Sequence, residues 1–324
     1  MKIERPEIVV KEMNRCAASK IPFLFAFDFE IENAFFIENP LEQQKVLFRT
    51  PLGGNSLINN KYVRDCLIAK PISFKTYKKR FDIVSEGLHR GDSFLTNLTV
   101  QTPITCKTSL LEIFETSNAP YCLFVPKRFV CFSPEIFVRI EGNTISTFPM
   151  KGTIDATIKN AKETILNNPK EAAEHVTVVD LLRNDLGLNA NDIQVVKYRY
   201  INKIDTFQRS ILQVSSEIKG TLKDDWQKRL GDIILSMLPA GSVSGAPKVA
   251  TTKIIRKAEQ GQKRGFYTGV FGYYDGERVD SGVLIRYIEE IEGKYFFRSG
   301  GGITVNSSCI SEYNEVIEKI YIPK

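Results

Sequence analysis

The chain is poor in the residues on which most hydrolytic and zinc chemistry is built: 324 residues include two histidines, His89 and His175, and one tryptophan. A Ser-His-Asp triad or a His-rich metal site would have to use one of those two. Six cysteines (Cys16, Cys66, Cys106, Cys122, Cys131, Cys309) are scattered without a CxxC pair. That spacing excludes zinc ribbons and redox motifs and fits a reducing, cytoplasmic compartment. No apolar run approaches the ~18 residues that span a bilayer. Met1 to Lys11 mixes acids with bases and leads into no apolar segment, so no membrane association is expected. Repeats, low-complexity tracts and Pro-rich linkers are also missing.

What is present is ordinary globular composition, 43% hydrophobic and 25% charged. The length allows two average domains, but one continuous core is favoured. Residues 1–90 are expected to add strands and a helix to that core, and residues 91–324 to form the catalytic region. The net charge of +6 comes from bases interleaved with acids rather than from a sustained block. This argues against a nucleic-acid partner and suits a pocket that attracts anions.

Phe23, Phe25, Phe27, Phe29 and Ile31 alternate with polar Asp28 and Glu30, which predicts a strand over 23–31. Phe81, Val84 and Leu88 recur at helical spacing before Gly91, and 94–100 then alternates as a strand carrying Asn97 on its second face. Residues 121–149 read as an antiparallel meander broken at Pro126, Ser133-Pro134 and Glu141-Gly142-Asn143. A helix starts at Asn168-Pro169 and fades before Gly187. Strands are predicted at 266–274, 279–288 and 295–299, and a last helix at 309–320. Strands joined mostly to strands argue for α+β rather than a doubly wound parallel sheet.

Two glutamate pairs, Glu171 with Glu174 and Glu312 with Glu315, are three apart on predicted helices, so each helix presents two carboxylates on one face. Hard oxygen donors of this kind suit Mg²⁺, although such pairs are commonly solvated surface. Lys319 continues the second stripe. The loop 240–248 has the ingredients of an anion site: glycines, the hydroxyls of Ser242 and Ser244, and a following helix. It lacks P-loop spacing. Gly300, Gly301 and Gly302 permit close backbone approach to a ligand or a sharp bend. Lys151, between Pro149 and Gly152, becomes nucleophilic if burial frees its amine, and Glu135 becomes a proton donor if its environment raises its pKa.

Taken in order, Ser133-Pro134-Glu135, Pro149-Met150-Lys151-Gly152-Thr153, Lys170-Glu171-Ala172-Ala173-Glu174-His175, Asp180-Leu181-Leu182-Arg183-Asn184-Asp185, Ser244-Gly245-Ala246-Pro247-Lys248, Gly300-Gly301-Gly302-Ile303 and Glu312-Tyr313-Asn314-Glu315 resemble the chorismate-utilising enzymes. The resemblance runs from about Gly91 to the C-terminus. It implies a four-layer α/β/β/α fold with two packed, mainly antiparallel sheets. It also implies chorismate as substrate and Mg²⁺ held chiefly by Glu174 and Glu315, with Glu171 and Glu312 beside them. Tyr267, Arg286, Gly300, Gly302 and Lys319 resemble the family's substrate contacts, and Ser242 its hydroxyl-bearing loop position.

Within the family, lysine at 151 resembles the branch that forms aminodeoxychorismate, whereas component I of anthranilate synthase has alanine there. By that resemblance Lys151 adds to the ring, Glu135 protonates the departing hydroxyl, and ammonia displaces the lysine. Anthranilate or isochorismate formation, and a non-enzymatic anion-binding protein, are the alternatives. Leu95 stands where isochorismate-forming relatives carry a water-activating lysine, so water addition is disfavoured. Leu212 replaces a His or Gln common near the substrate. No Leu-Leu-Glu-Ser motif predicts tryptophan feedback. No Gly-x-Cys-x-Gly elbow of a glutaminase is present, so ammonia is expected from a separate glutamine amidotransferase subunit.

Overall fold

The run Phe23-Leu24-Phe25-Ala26-Phe27 is apolar at every position and has no face to offer water. In the computed structural model, which describes residues 2–58, 67–205 and 210–322, it is a central strand buried on both sides. The chain opens with α1 (Pro6–Ala18), β1 (Phe23–Phe27), β2 (Ala34–Glu38), β3 (Leu47–Thr50), β4 (Gly53–Gly54), β5 (Ile68–Ala69), α2 (Phe74–His89), β6 (Leu95–Thr105) and α3 (Leu110–Thr116). There follow β7 (Tyr121–Val125), β8 (Phe129–Ser133), β9 (Ile136–Glu141), β10 (Thr144–Thr147), β11 (Met150–Asp155), α4 (Ala161–Leu166), α5 (Pro169–Gly187), β12 (Asn191–Asp205) and β13 (Ser210–Thr221). The last third holds α6 (Leu230–Ser236), β14 (Gly245–Ala246), α7 (Lys248–Ala258), β15 (Val270–Tyr274), β16 (Val279–Val283), β17 (Tyr287–Ile291), β18 (Lys294–Ile303) and α8 (Cys309–Glu318).

The strands form two antiparallel sheets. The first runs β11-β13-β10-β9-β16-β15-β1-β2, with β12 on β13; the second runs β14-β6-β18-β17-β8-β7-β3-β4, with β5 on β6. Leu24, Phe35 and Phe271 of the first sheet pack with Phe48, Phe129 and Tyr287 of the second, filling the space between them. Outside the first sheet lie α1, α5 and α6, through Met13, Leu182 and Ile233. Outside the second lie α2, α7 and α8, through Val84, Ile254 and Val316. Helices therefore cover both outer faces, and the fold is the expected α+β arrangement.

Four sequence expectations are corrected. The 23–31 strand stops at Phe27, because Asp28 takes the Glu32 amide and the Asn33 side chain into a turn. The 121–149 meander is split: β7 and β8 belong to the second sheet and β9 and β10 to the first, so the chain changes sheet at Ser133-Pro134-Glu135. The predicted 279–288 strand breaks likewise between β16 and β17, at Leu284-Ile285-Arg286, where Arg286 adopts φ +53°. Apolar runs flank both breaks, Val130-Cys131-Phe132 and Ile136-Phe137-Val138 at the first and Val283-Leu284-Ile285 at the second, so patterning does not tell which sheet each side joins. The 266–274 segment is strand only from Val270. Helix α1 and the long β12/β13 pair went unread. Cys66 lies outside the described residues.

Candidate active site

The two sheet-changing segments run side by side: the Val283 amide donates to the Glu135 carbonyl, and the Phe132 amide to the Arg286 carbonyl, both at 3.0 Å. Glu135 and Arg286 are thus set at one point between the sheets by the topology itself. Burial pushes the Glu135 carboxyl above the usual range, against the hydrogen bond from the Ser242 hydroxyl and the charges of Lys319, Lys151 and Arg286. A raised carboxyl is the condition on which the proton-donor expectation rested. Arg286 Nη1 donates to the Lys319 carbonyl at 3.4 Å, its guanidinium lies over the Tyr321 ring, and its Nε is buried with no hydrogen-bond partner. That N–H suits an incoming anionic oxygen. Tyr267 is buried between the sheets beside Tyr287, and its phenol is raised by that burial.

Lys151 lies on β11 where the register with β13 shifts, between Met150 and Thr153, and the irregularity re-aims its side chain. Its Nζ is 2.8 Å from Glu174 Oε2. A Cβ built on Gly302 would stand 3.2 Å from Lys151 Nζ and 3.1 Å from Leu95 Cδ1, so glycine at 302 leaves room for the amine against an apolar wall. Burial by itself weakens the ammonium's hold on its proton. Glu174, with Glu315 and Glu171 behind it, outweighs burial, and the Lys151 pKa stands above the ordinary value. The expectation that desolvation alone activates this lysine is corrected: the carboxylates hold it charged.

The glutamate helices approach from opposite layers. Glu171 Oε2 faces Gly152, next to Lys151 in the chain, while a Cβ on Gly301 would meet Glu312 Oε2, Glu315 Oε1 and Lys319 Nζ at 3.5, 3.7 and 3.9 Å. Lys319 Nζ bonds Glu315 at 2.6 Å and the Gly300 carbonyl at 2.8 Å. Burial lowers the Lys319 pKa despite Glu315. Glu312 also accepts from the Ser307 hydroxyl at 2.8 Å. Leu212 pairs with Ile154, one register irregularity away from Lys151. The structure thus collects Lys151, Glu135, Ser242, Arg286, Gly302, Lys319 and the four glutamates around one locus.

The loop 240–248 works differently from the anion site its composition suggested. Its Ser244 hydroxyl closes on the Ala240 carbonyl at 2.9 Å, Gly245 packs on the backbone of β6, and Lys248 is ion-paired to Asp185. Three residues had no task assigned from sequence: His175, buried, with Nε2 2.7 Å from Ser216 Oγ and its pKa held by burial down to about 4, and the Asp185–Lys248 pair. The available signal was their membership in motifs that had no assigned task.

The sequence profile described as chorismate binding enzyme matches residues 40–323. The chain belongs to the chorismate-binding enzyme family. It is 46% identical over 317 residues, 97% of this chain and 96% of the relative, to an uncharacterised PabA-like protein of Haemophilus influenzae. Aminodeoxychorismate synthase component 1 of Bacillus subtilis is 29% identical over 268 residues, 78% of this chain but only 56% of that protein. In structure the chain is similar to anthranilate synthase component I of Streptococcus pneumoniae, at TM-score 0.67 and 27% identity, over 78% of this chain and 58% of that one.

Enzymes of this family are typically Mg²⁺-dependent, and the residues here fit that ion. The donors are hard carboxylate oxygens, and four carboxylates around the ammonium groups of Lys151 and Lys319 leave an excess of two negative charges for a divalent cation to balance. Among the described residues these oxygens are not drawn into one tight ring, because the lysines stand between them. A second acidic group, Glu12 and Glu38 with Cys16, is already bridged by Arg15 at 2.8 and 2.6 Å. No helix among the described residues is long and apolar enough to cross a membrane.

Proposed function

We propose that the protein converts chorismate and ammonia to 4-amino-4-deoxychorismate through a covalent Lys151 adduct. The observation that carries this reading is the Lys151 amine itself, seated in the glutamate cluster with an apolar Leu95 wall and the raised Glu135 carboxyl beside it. The carboxylates hold Lys151 charged at rest, so its ammonium first gives its proton to solvent; the neutral amine then bonds to ring carbon C2 while both ring double bonds shift and the C4–O bond breaks. Glu135 gives its proton to the departing hydroxyl, which leaves as water. Ammonia then bonds to C4, both double bonds shift back, the C2–N bond breaks and Lys151 is released as the neutral amine, which regains a proton from solvent. The Glu135 carboxylate takes the proton shed by the new amine. Arg286 and Lys319 bind substrate carboxylates. Bound among the glutamates, Mg²⁺ would neutralise the ring carboxylate and compete with Lys151 for Glu174. Ammonia comes from a separate glutamine amidotransferase subunit.

Leu95 has no group with which to activate water, which supports amination over isochorismate formation. The test is purified protein with chorismate, Mg²⁺ and an ammonium salt. The expected product is 4-amino-4-deoxychorismate; anthranilate fluorescence without an added lyase would assign the other amination instead. Ammonia-starved wild type should show a chorismate-derived adduct by intact mass, lost in Lys151→Ala together with at least about a hundredfold of turnover. Wild-type turnover by that variant rejects the lysine route.

A further inference from the structure

Asp185 and Lys248 form a buried ion pair that the chemistry above leaves without a task. Lys248 Nζ lies 2.6 Å from Asp185 Oδ1 and donates to the Met237 carbonyl at 2.7 Å. Neither charge is where helix electrostatics would put it. Asp185 is in the last turn of α5, at the negative end of that dipole, and Lys248 is the first residue of α7, at a positive end. Burial adds a second cost. It pushes the Asp185 carboxyl up to about 6 and the Lys248 ammonium down, each against the pull of its partner. Replacing a buried pair with apolar residues is often neutral or stabilising, so a pair set against burial and two dipoles is poorly explained by stability. What it supplies is a fixed geometry between two helix ends.

The object held is the loop between them. A Cβ on Gly241 would stand 3.0 Å from Asp185 Oδ2, so only glycine lets that carboxylate abut the loop one residue before Ser242. At the far end of the loop, Gly245 and Ala246 pair with Thr96 and Leu95, and Lys248 follows after Pro247. Ser242 lies between these two anchors and donates to Glu135.

We propose that Asp185 and Lys248 are positioning residues: their ion pair holds the loop 240–248 against the end of α5 so that the Ser242 hydroxyl stays on Glu135. The consequence for catalysis rests on the proton-donor role of Glu135 proposed above; the geometric claim does not. Four groups act on Glu135, namely Ser242, Lys319, Lys151 and Arg286, and of these Ser242 is the one carried by the loop 240–248.

The test follows the Glu135 carboxyl by carbon-13 NMR titration of the full chain without substrate, with kcat and KM for chorismate measured alongside. Wild type is compared with Ser242→Ala, Lys248→Met and their combination. Both single variants are expected to raise the Glu135 titration by a similar amount, and the combination no further, since both act through one hydrogen bond. Turnover falls by about tenfold or more in each with KM nearly constant, and Lys248→Arg restores most of it. If Lys248→Met lowers only the melting temperature and leaves the Glu135 titration in place, or if its effect adds to that of Ser242→Ala, the positioning role is overturned. Should Lys248→Met fail to fold, Asp185→Asn combined with Lys248→Met removes both charges and takes its place, read against the same two outcomes. A wild type that makes no aminodeoxychorismate while the titrations move as expected rejects the functional reading and keeps the positioning one.

Discussion

Glu135 is a carboxyl raised by burial and drawn back by the Ser242 hydroxyl and by the charges of Lys319, Lys151 and Arg286. Removing that hydroxyl in Ser242→Ala takes away an interaction that favours the charged form, so the Glu135 pKa rises further. A general acid works protonated, and the sign follows: the alkaline limb of kcat against pH moves upward, by about one pH unit for a charge-assisted hydrogen bond. A limb that stays in place would show that Glu135 is not the titrating acid. Motif resemblance singled out Lys151 and Glu135 as candidates, but it did not show their electrostatics. Burial works against the Lys151 ammonium, yet carboxylates contributed by α5 and α8 outweigh it and raise its pKa, and sequence proximity shows none of that.

At the scale of elements, the loop 240–248 depends on a glycine that no other residue replaces. Gly245 adopts φ +137°, and a Cβ there would overlap the Leu95 carbonyl oxygen and press on Thr251. Gly245→Ala is expected to break the β14–β6 pairing, cost about 2 kcal/mol or more in urea unfolding and depress turnover. Unchanged stability would show that the loop does not need this contact. From sequence the small residues suggested contact with an anion; in the fold the close approach is to the protein's own backbone. Composition reports that something comes near, and only the neighbouring strand says what.

Across the whole molecule, Glu171 and Glu174 come from the helical layer on the first sheet, and Glu312 and Glu315 from the layer on the second. A cation among them ties both outer layers together across the sheets. Saturating Mg²⁺ should therefore raise the melting temperature, by the equivalent of about 2.7 kcal/mol at a hundredfold excess over Kd. Chelation with EDTA should abolish the gain, and Glu315→Ala should lose most of it. Equal melting curves for wild type with and without Mg²⁺ would remove the metal assignment.

The sequence by itself indicated the class of fold and proposed the site residues, because hydrophobic patterning and motif spacing are local properties of the chain. It did not determine which sheet each strand joins, since the segments around Glu135 and Arg286 run apolar without a break in pattern. Those two crossings place Glu135 beside Arg286. The protonation of Lys151 and the Asp185–Lys248 ion pair were likewise decided only by tertiary structure. Burial and Coulomb interactions act over a few ångströms of space, between residues that sequence separation keeps far apart.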